Sequence, residues 1–102
     1  MALQNWPVTE RPREKLLKLG AAALSEAELL AILLQTGTPG CSALDTARGL
    51  LGEFRSLRGL LTAERQVVCR IRGLGTAKYA LLQASLELSR RHYAELMQSG
   101  PA

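Results

Sequence analysis

The chain has 102 residues with 13 basic and nine acidic side chains, a net charge of +4 and a pI near 9.6. This length allows one small domain and excludes a multidomain enzyme. Leucine (21) and alanine (14) supply 35 of the 48 apolar residues, against five valines and isoleucines together. That balance favours helix over sheet, so an all-α domain is expected.

The first segment, residues 1–10, reads as an N-terminal extension. It lacks the basic, apolar and small-residue succession of a secretion signal, and a cytoplasmic location is the default expectation. Pro12 suits the first turn of a helix that runs through Leu16, Leu17 and Leu19 and stops at Gly20. Ser25 and Glu28 then form an S-x-x-E capping box, with Leu24 and Leu29 placed as a hydrophobic staple, and predict a helix from Glu26 to Gln35. Within it, Leu29–Leu34 is the longest apolar run of the chain, six residues against the roughly 18–20 of a membrane span. No membrane partner is expected. Gly37, Pro39 and Gly40 force a turn, and Ser42 with Asp45 opens a helix through Leu44, Ala47 and Leu51, weakened by Gly49. Ser56–Leu61 predicts a short helical turn, and Thr62 is placed to cap a helix from Ala63 to about Arg70. Thr76 is placed to cap the last helix, where Ala80, Leu81, Ala84 and Leu88 recur at the spacing of a buried stripe and which extends to Met97. Residues 98–102 have loop composition and read as the start of a linker. The domain itself covers residues 11–97.

An internal repeat underlies this order. Ala27-Glu28 and Ala63-Glu64 are 36 residues apart, as are Gly37 and Gly73, and Ala47 aligns with Ala80 after a shortened second loop. A duplicated helix, hairpin, helix unit follows, in a bundle of about five helices.

The stretch Ile71-Arg72-Gly73-Leu74-Gly75-Thr76-Ala77-Lys78 has the helix-hairpin-helix form h-x-G-h-G-x-x-K. Its glycines permit positive φ and let a partner approach the backbone. Leu74 is placed to point inward, while the amides from Gly73 to Ala77 open a helix whose dipole favours an anion such as a nucleic-acid phosphate. Charge follows the same division. Residues 1–47 sum to −1 and residues 79–102 to zero, whereas residues 48–78 hold seven basic and two acidic side chains, a net +5. A phosphate-binding surface requires such a concentration. The candidate DNA-binding residues are Arg70, Arg72, Gly73, Leu74, Gly75, Thr76 and Lys78, and contacts to phosphates would be indifferent to base sequence. The first hairpin, Thr36–Cys41, has no basic residue and reads as a structural copy.

The other conspicuous residues carry less. Cys41 and Cys69 are isolated and expected to be reduced. His92 has no acid or thiol at ligand spacing, and Trp6 reads as packing rather than as a stacking platform. Glu26 and Glu28 favour a helix dipole. No catalytic group, metal site or cofactor site is expected within these residues.

The strings Arg11-Pro12-Arg13-Glu14-Lys15-Leu16-Leu17, Leu24–Thr38 and Ser56-Leu57-Arg58-Gly59-Leu60-Leu61, with Gly73-Leu74-Gly75 and Glu87-Leu88-Ser89-Arg90-Arg91, closely resemble the N-terminal region of the bacterial RadC family over residues 10–93. The resemblance implies a tandem helix-hairpin-helix domain similar to those of RuvA-like DNA-repair proteins, a SAM-like arrangement, followed by a zinc-dependent JAMM/MPN metallohydrolase domain. The H-x-H-P-S-G signature of that second domain does not occur in this sequence, so zinc is expected only in the further domain and this chain is expected not to be an enzyme. The hairpin pattern Gly73, Leu74, Gly75, Lys78 matches the family, whereas Cys41 stands where relatives commonly have a basic residue. A monovalent cation at the hairpin is a further expectation. Two functions follow as expectations: a DNA-backbone-binding module, or an interaction module that docks a partner or the metallohydrolase domain.

Overall fold

Local chemistry places each helix boundary in the computed structural model, which describes residues 11–35, 42–71 and 74–98. Helix α1, Pro12–Leu19, begins with proline at its first position and ends at Gly20, whose φ of 90° suits a residue without Cβ and whose N–H donates to the Leu16 carbonyl at 2.8 Å. A 3-10 turn, Ala21–Ala23, leads to α2, Glu26–Leu34. The capping box is complete there: Glu28 N–H donates to Ser25 Oγ at 3.1 Å, and Ser25 N–H donates to Glu28 Oε1 at 2.8 Å. Helix α3, Ala43–Glu53, starts on Ser42, whose Oγ accepts from Asp45 N–H at 3.1 Å. Helix α4, Leu57–Thr62, starts likewise on Ser56, which accepts from Gly59 N–H at 2.9 Å. Helices α5, Arg65–Val68, and α6, Thr76–Gln98, complete the order. All six helices and the absence of strands among the described residues agree with the all-α expectation.

The α2 and α3 pair makes the most extensive helix packing. Ala31, Ala43 and Ala47 are buried there, and such small side chains let two backbones come close. Around them lie Leu30, Leu34, Leu44 and Leu50, joined by Leu60 of α4, Val68 of α5, Leu74 and Leu82 of α6. Each later helix thus contributes one large buried side chain to a core that α2 and α3 begin. Helix α1 is tied differently. Lys15 Nζ reaches both carboxylate oxygens of Glu28, at 3.1 and 3.3 Å, so the capping residue of α2 also holds α1. The Ser25 N–H, and then Lys15, hold the Glu28 carboxyl below its ordinary value of 4.5 in spite of partial burial.

Several expected boundaries change. Thr62 does not cap the following helix: it closes α4, its hydroxyl donating to the Arg58 carbonyl at 2.7 Å. Helix α5 spans only Arg65–Val68, with Glu64 preceding it without a side-chain cap, rather than Ala63 to Arg70. Thr76 is the first residue of α6, and the Gly75 carbonyl accepts from Tyr79 N–H at 3.0 Å, which puts Gly75 in the capping position. The stripe Ala80, Leu81, Ala84, Leu88 faces solvent, with Leu88 69% exposed. The buried residue of α6 is Leu82, because α2 and α4 pack on that side of the helix. Gly49 does not interrupt α3. Of the repeat, Ala27 lies inside α2 and Ala63 lies just before α5, while Gly37 and Gly73 lie outside the described residues.

Two glycines give opposite predictions. A Cβ at Gly49 meets nothing within 4 Å, so Gly49→Ala stabilises the domain by about 0.5–1 kcal/mol through helix propensity. A Cβ at Gly59 would overlap the Phe54 carbonyl oxygen, so Gly59→Ala is destabilising although it too sits in a helix. Leu34→Ala, at a side chain 1% exposed, costs about 2–5 kcal/mol. Urea unfolding of the three variants measures all of these. Because Glu28 has a lowered folded pKa, its contribution is present above the ordinary value and is lost as the pH falls through the folded one. Urea midpoints therefore decline below about pH 5, and Glu28→Gln flattens that decline.

Candidate nucleic-acid interface

The second hairpin is built from its apolar residues outward. Val68 at the end of α5 and Leu74 before α6 are fully buried, and Ile71 and Tyr79 pack against the same core. Backbone bonds tighten the connection: Cys69 N–H donates to Arg65 O at 2.9 Å, Ile71 N–H to Val68 O at 3.1 Å and Leu74 N–H to Ile71 O at 3.0 Å. Leu74 therefore anchors the hairpin, as its inward placement in the sequence motif predicts. With both ends held, Arg70, Gly75, Thr76 and Ala77 are exposed and Lys78 is half-buried. Arg72 and Gly73 lie outside the described residues, as does the first hairpin from Thr36 to Cys41.

Of the two properties expected of the hairpin glycines, Gly75 shows the open approach and not the positive φ. Among the described glycines only Gly20 has a positive φ, and a Cβ at Gly75 meets nothing of this chain within 4 Å. Its absent side chain leaves the start of α6 open instead. The 23 residues of α6 bring the positive end of an α-helix dipole to this opening.

Five arginines of the basic segment, Arg48, Arg55, Arg58, Arg65 and Arg70, are exposed, and among the described residues none pairs with a carboxylate. The ion pairs lie elsewhere. Lys15 meets Glu28, while Arg90 and Arg91 both turn to Glu87, at 2.7 and 2.8 Å. Those two guanidiniums hold the Glu87 carboxyl down at about 2. The charge of these five arginines is thus left for solvent or a ligand. Arg48, Arg55, Arg58 and Arg65 belong to the same basic segment but not to the hairpin motif; the charge sum by segment is the signal that finds them. Arg55 adds a backbone cost, since it holds φ 71° directly after α3 where glycine would be unstrained.

His92 is exposed on α6, its ring 5.0 Å from that of Tyr93 in an edge-on arrangement. Cys69 is half-buried and in no disulfide. Trp6 and Cys41 lie outside the described residues. No three His, Cys, Asp or Glu side chains come together among the described residues, and no described helix is long and apolar enough to cross a membrane.

The fold and charge distribution define a small all-helical domain with a basic segment, seven basic against two acidic side chains, that leads into its longest helix. A family model described as UPF0758 N-terminal matches residues 3–80. The chain belongs to that family as its N-terminal domain, in line with the RadC resemblance of its sequence strings. UPF0758 proteins of Tolumonas auensis, Ectopseudomonas mendocina and Acidithiobacillus ferrooxidans (strain ATCC 53993 / BNL-5-31) are 59%, 60% and 61% identical over 98%, 100% and 98% of this chain. The chain spans 45%, 46% and 45% of their lengths, just under half of each. No solved structure matches.

Since Gly75 occupies the capping position with open space around it, Gly75→Asp keeps the fold and shifts stability by only a few tenths of a kcal/mol, because Asp caps at least as well as Gly. Thermal melting checks this. The result matters for function, because the same substitution places a negative charge where a phosphate would sit.

Proposed function

We propose that this chain is a non-enzymatic DNA-binding domain of a RadC-like, DNA-repair-associated protein. It would hold backbone phosphates without regard to base sequence, through a tandem helix-hairpin-helix arrangement in which only the second hairpin binds. The observation that carries this reading is the set of five exposed arginines without carboxylate partners in the segment that leads into an open helix start. Such a surface attracts a polyanion through charge and offers N–H donors for one phosphate. Arg70, Arg72 and Lys78 supply attraction, Gly73, Gly75 and Thr76 the backbone donors, and Leu74 the anchorage. A monovalent cation bound to the hairpin carbonyls would add to the same contact, and zinc chemistry would belong to the other half of the full-length protein.

Tandem character is supported by the order of the elements. Helices α2 and α3 flank the first glycine-containing loop, and α5 and α6 flank the second. The second unit has a first helix of only four residues, against nine in the first. An interaction module is the other reading, and the bare apolar side of α6 favours it.

Fluorescence anisotropy with a duplex of mixed sequence tests the DNA reading. Binding should weaken as salt rises, with a log–log slope of about −0.9 for each phosphate contact, and Lys78→Ala should lower that slope by about one contact. Gly75→Asp should abolish binding while leaving the fold intact. Parent and both variants binding alike, or no binding at low salt, would remove the hairpin as the site.

A further inference from the structure

Helix α6 carries a second apolar pattern that the hairpin does not use. Tyr79, Leu82, Leu86, Ser89, Tyr93 and Leu96 follow one another at alternating spacings of three and four, so they share one face of the helix. Exposure rises along this seam. Leu82 is 3% exposed beneath α2 and α4, Leu86 40%, and Leu96 57%, with neighbouring Met97 at 83%. Between α2, α4 and α6, the covered end of the seam opens into an apolar groove of about 330 Å³, bordered by Leu29, Leu33, Leu57 and Leu61. Groove and seam share one face of α6 that, interrupted only by Ser89, runs from the bundle to the last turn of the helix.

The charges nearby are arranged to leave this track clear. Arg90 and Arg91 both turn back to Glu87, one turn earlier and off the seam. The opposite stripe, Leu81, Ala84 and Leu88, ends there and is succeeded by Arg91, His92 and Glu95, so it does not reach the end of the helix.

We propose that the seam from Leu86 to Met97 is the docking surface for the C-terminal half of the full-length protein. Two observations favour that occupant. The matched family model is the N-terminal one and the chain spans 45–46% of its relatives, so the larger share of those proteins follows α6. The exposed end of the seam is also the end nearest that attachment. A segment tethered there is present at an effective concentration in the millimolar range, which no second copy or separate protein matches. Docking would continue the Leu82 packing and fix the direction in which the following half leaves the hairpin domain.

Hydrogen exchange of amides 89–98, measured without nucleic acid in the full-length protein and in the 102-residue chain, tests this independently of DNA binding. Exchange in the full-length protein should be slower by about tenfold or more, at every protein concentration. Leu96→Glu with Met97→Glu should remove that protection, and Leu88→Glu on the opposite stripe should not. These side chains are exposed in the 102-residue chain, so its melting temperature, unchanged in each variant, serves as the folding control. Equal exchange in the two lengths would overturn the proposal. So would protection that grows with concentration, which indicates a second copy, or protection that Leu88→Glu alone removes.

Discussion

Leu74 is the residue through which the basic surface depends on the core. It has no exposed area, and it belongs to one core cluster with buried side chains from α2, α3, α4 and α5. Because it immediately precedes the opening of α6, its burial fixes where that helix starts and which way its first amides point. A hairpin without such an anchor would have to pay its ordering entropy on each binding event. With the anchor, Gly75 and Thr76 at the start of α6 are held before any ligand arrives. The same core that stabilises the domain therefore sets the geometry of its candidate site.

Electrostatics divides the molecule in a complementary way. Carboxylates are placed where they stabilise helices or pair with nearby cations: Glu28 at the start of α2 with Lys15, and Glu87 between Arg90 and Arg91. The segment from Arg48 to Lys78 holds only Glu53 and Glu64. Its described arginines are exposed, where mutual repulsion is screened by water and salt. Their cost to stability is accordingly slight, and they remain available to an anionic partner.

Much of the fold is legible in the sequence because its punctuation is chemical. Pro12, Gly20, Ser25 with Glu28, and Ser42 with Asp45 act within a turn of their own positions, so local pattern suffices to place them. Misplaced boundaries have a common origin. Thr62 and Thr76 have the right chemistry for capping, yet a Thr62 hydroxyl turned to Arg58 O, and a Gly75 carbonyl bonded to Tyr79, satisfy the backbone another way. The face of α6 was less legible still. Two apolar stripes run along that helix, and nothing within it decides which is buried. That choice belongs to α2 and α4, whose apolar residues meet Leu82. At the candidate site, Leu74 and the basic segment were readable from pattern and charge sum. For Gly75 the open approach was readable too, whereas residue type alone left its φ undetermined.

The length of α6 brings these threads together. Six or seven residues suffice to carry Leu82 and complete the core, as α4 does with Leu60. Helix α6 continues through 23 residues, and every residue from Leu88 to Gln98 is exposed. An isolated extension of this kind gains little from propensity alone, because helices in water draw most of their stability from packing on an apolar face. Glu87 with Arg90 and Arg91 contributes i,i+3 and i,i+4 support on the surface, yet exposed pairs contribute little each. The repeated apolar positions are then the remaining source of order for the second half of α6, and they can act only when covered. A helix anchored at one end by the hairpin and covered at the other by the following half would join the two rigidly, so a ligand held at Gly75 would have a fixed position relative to whatever chemistry that half performs.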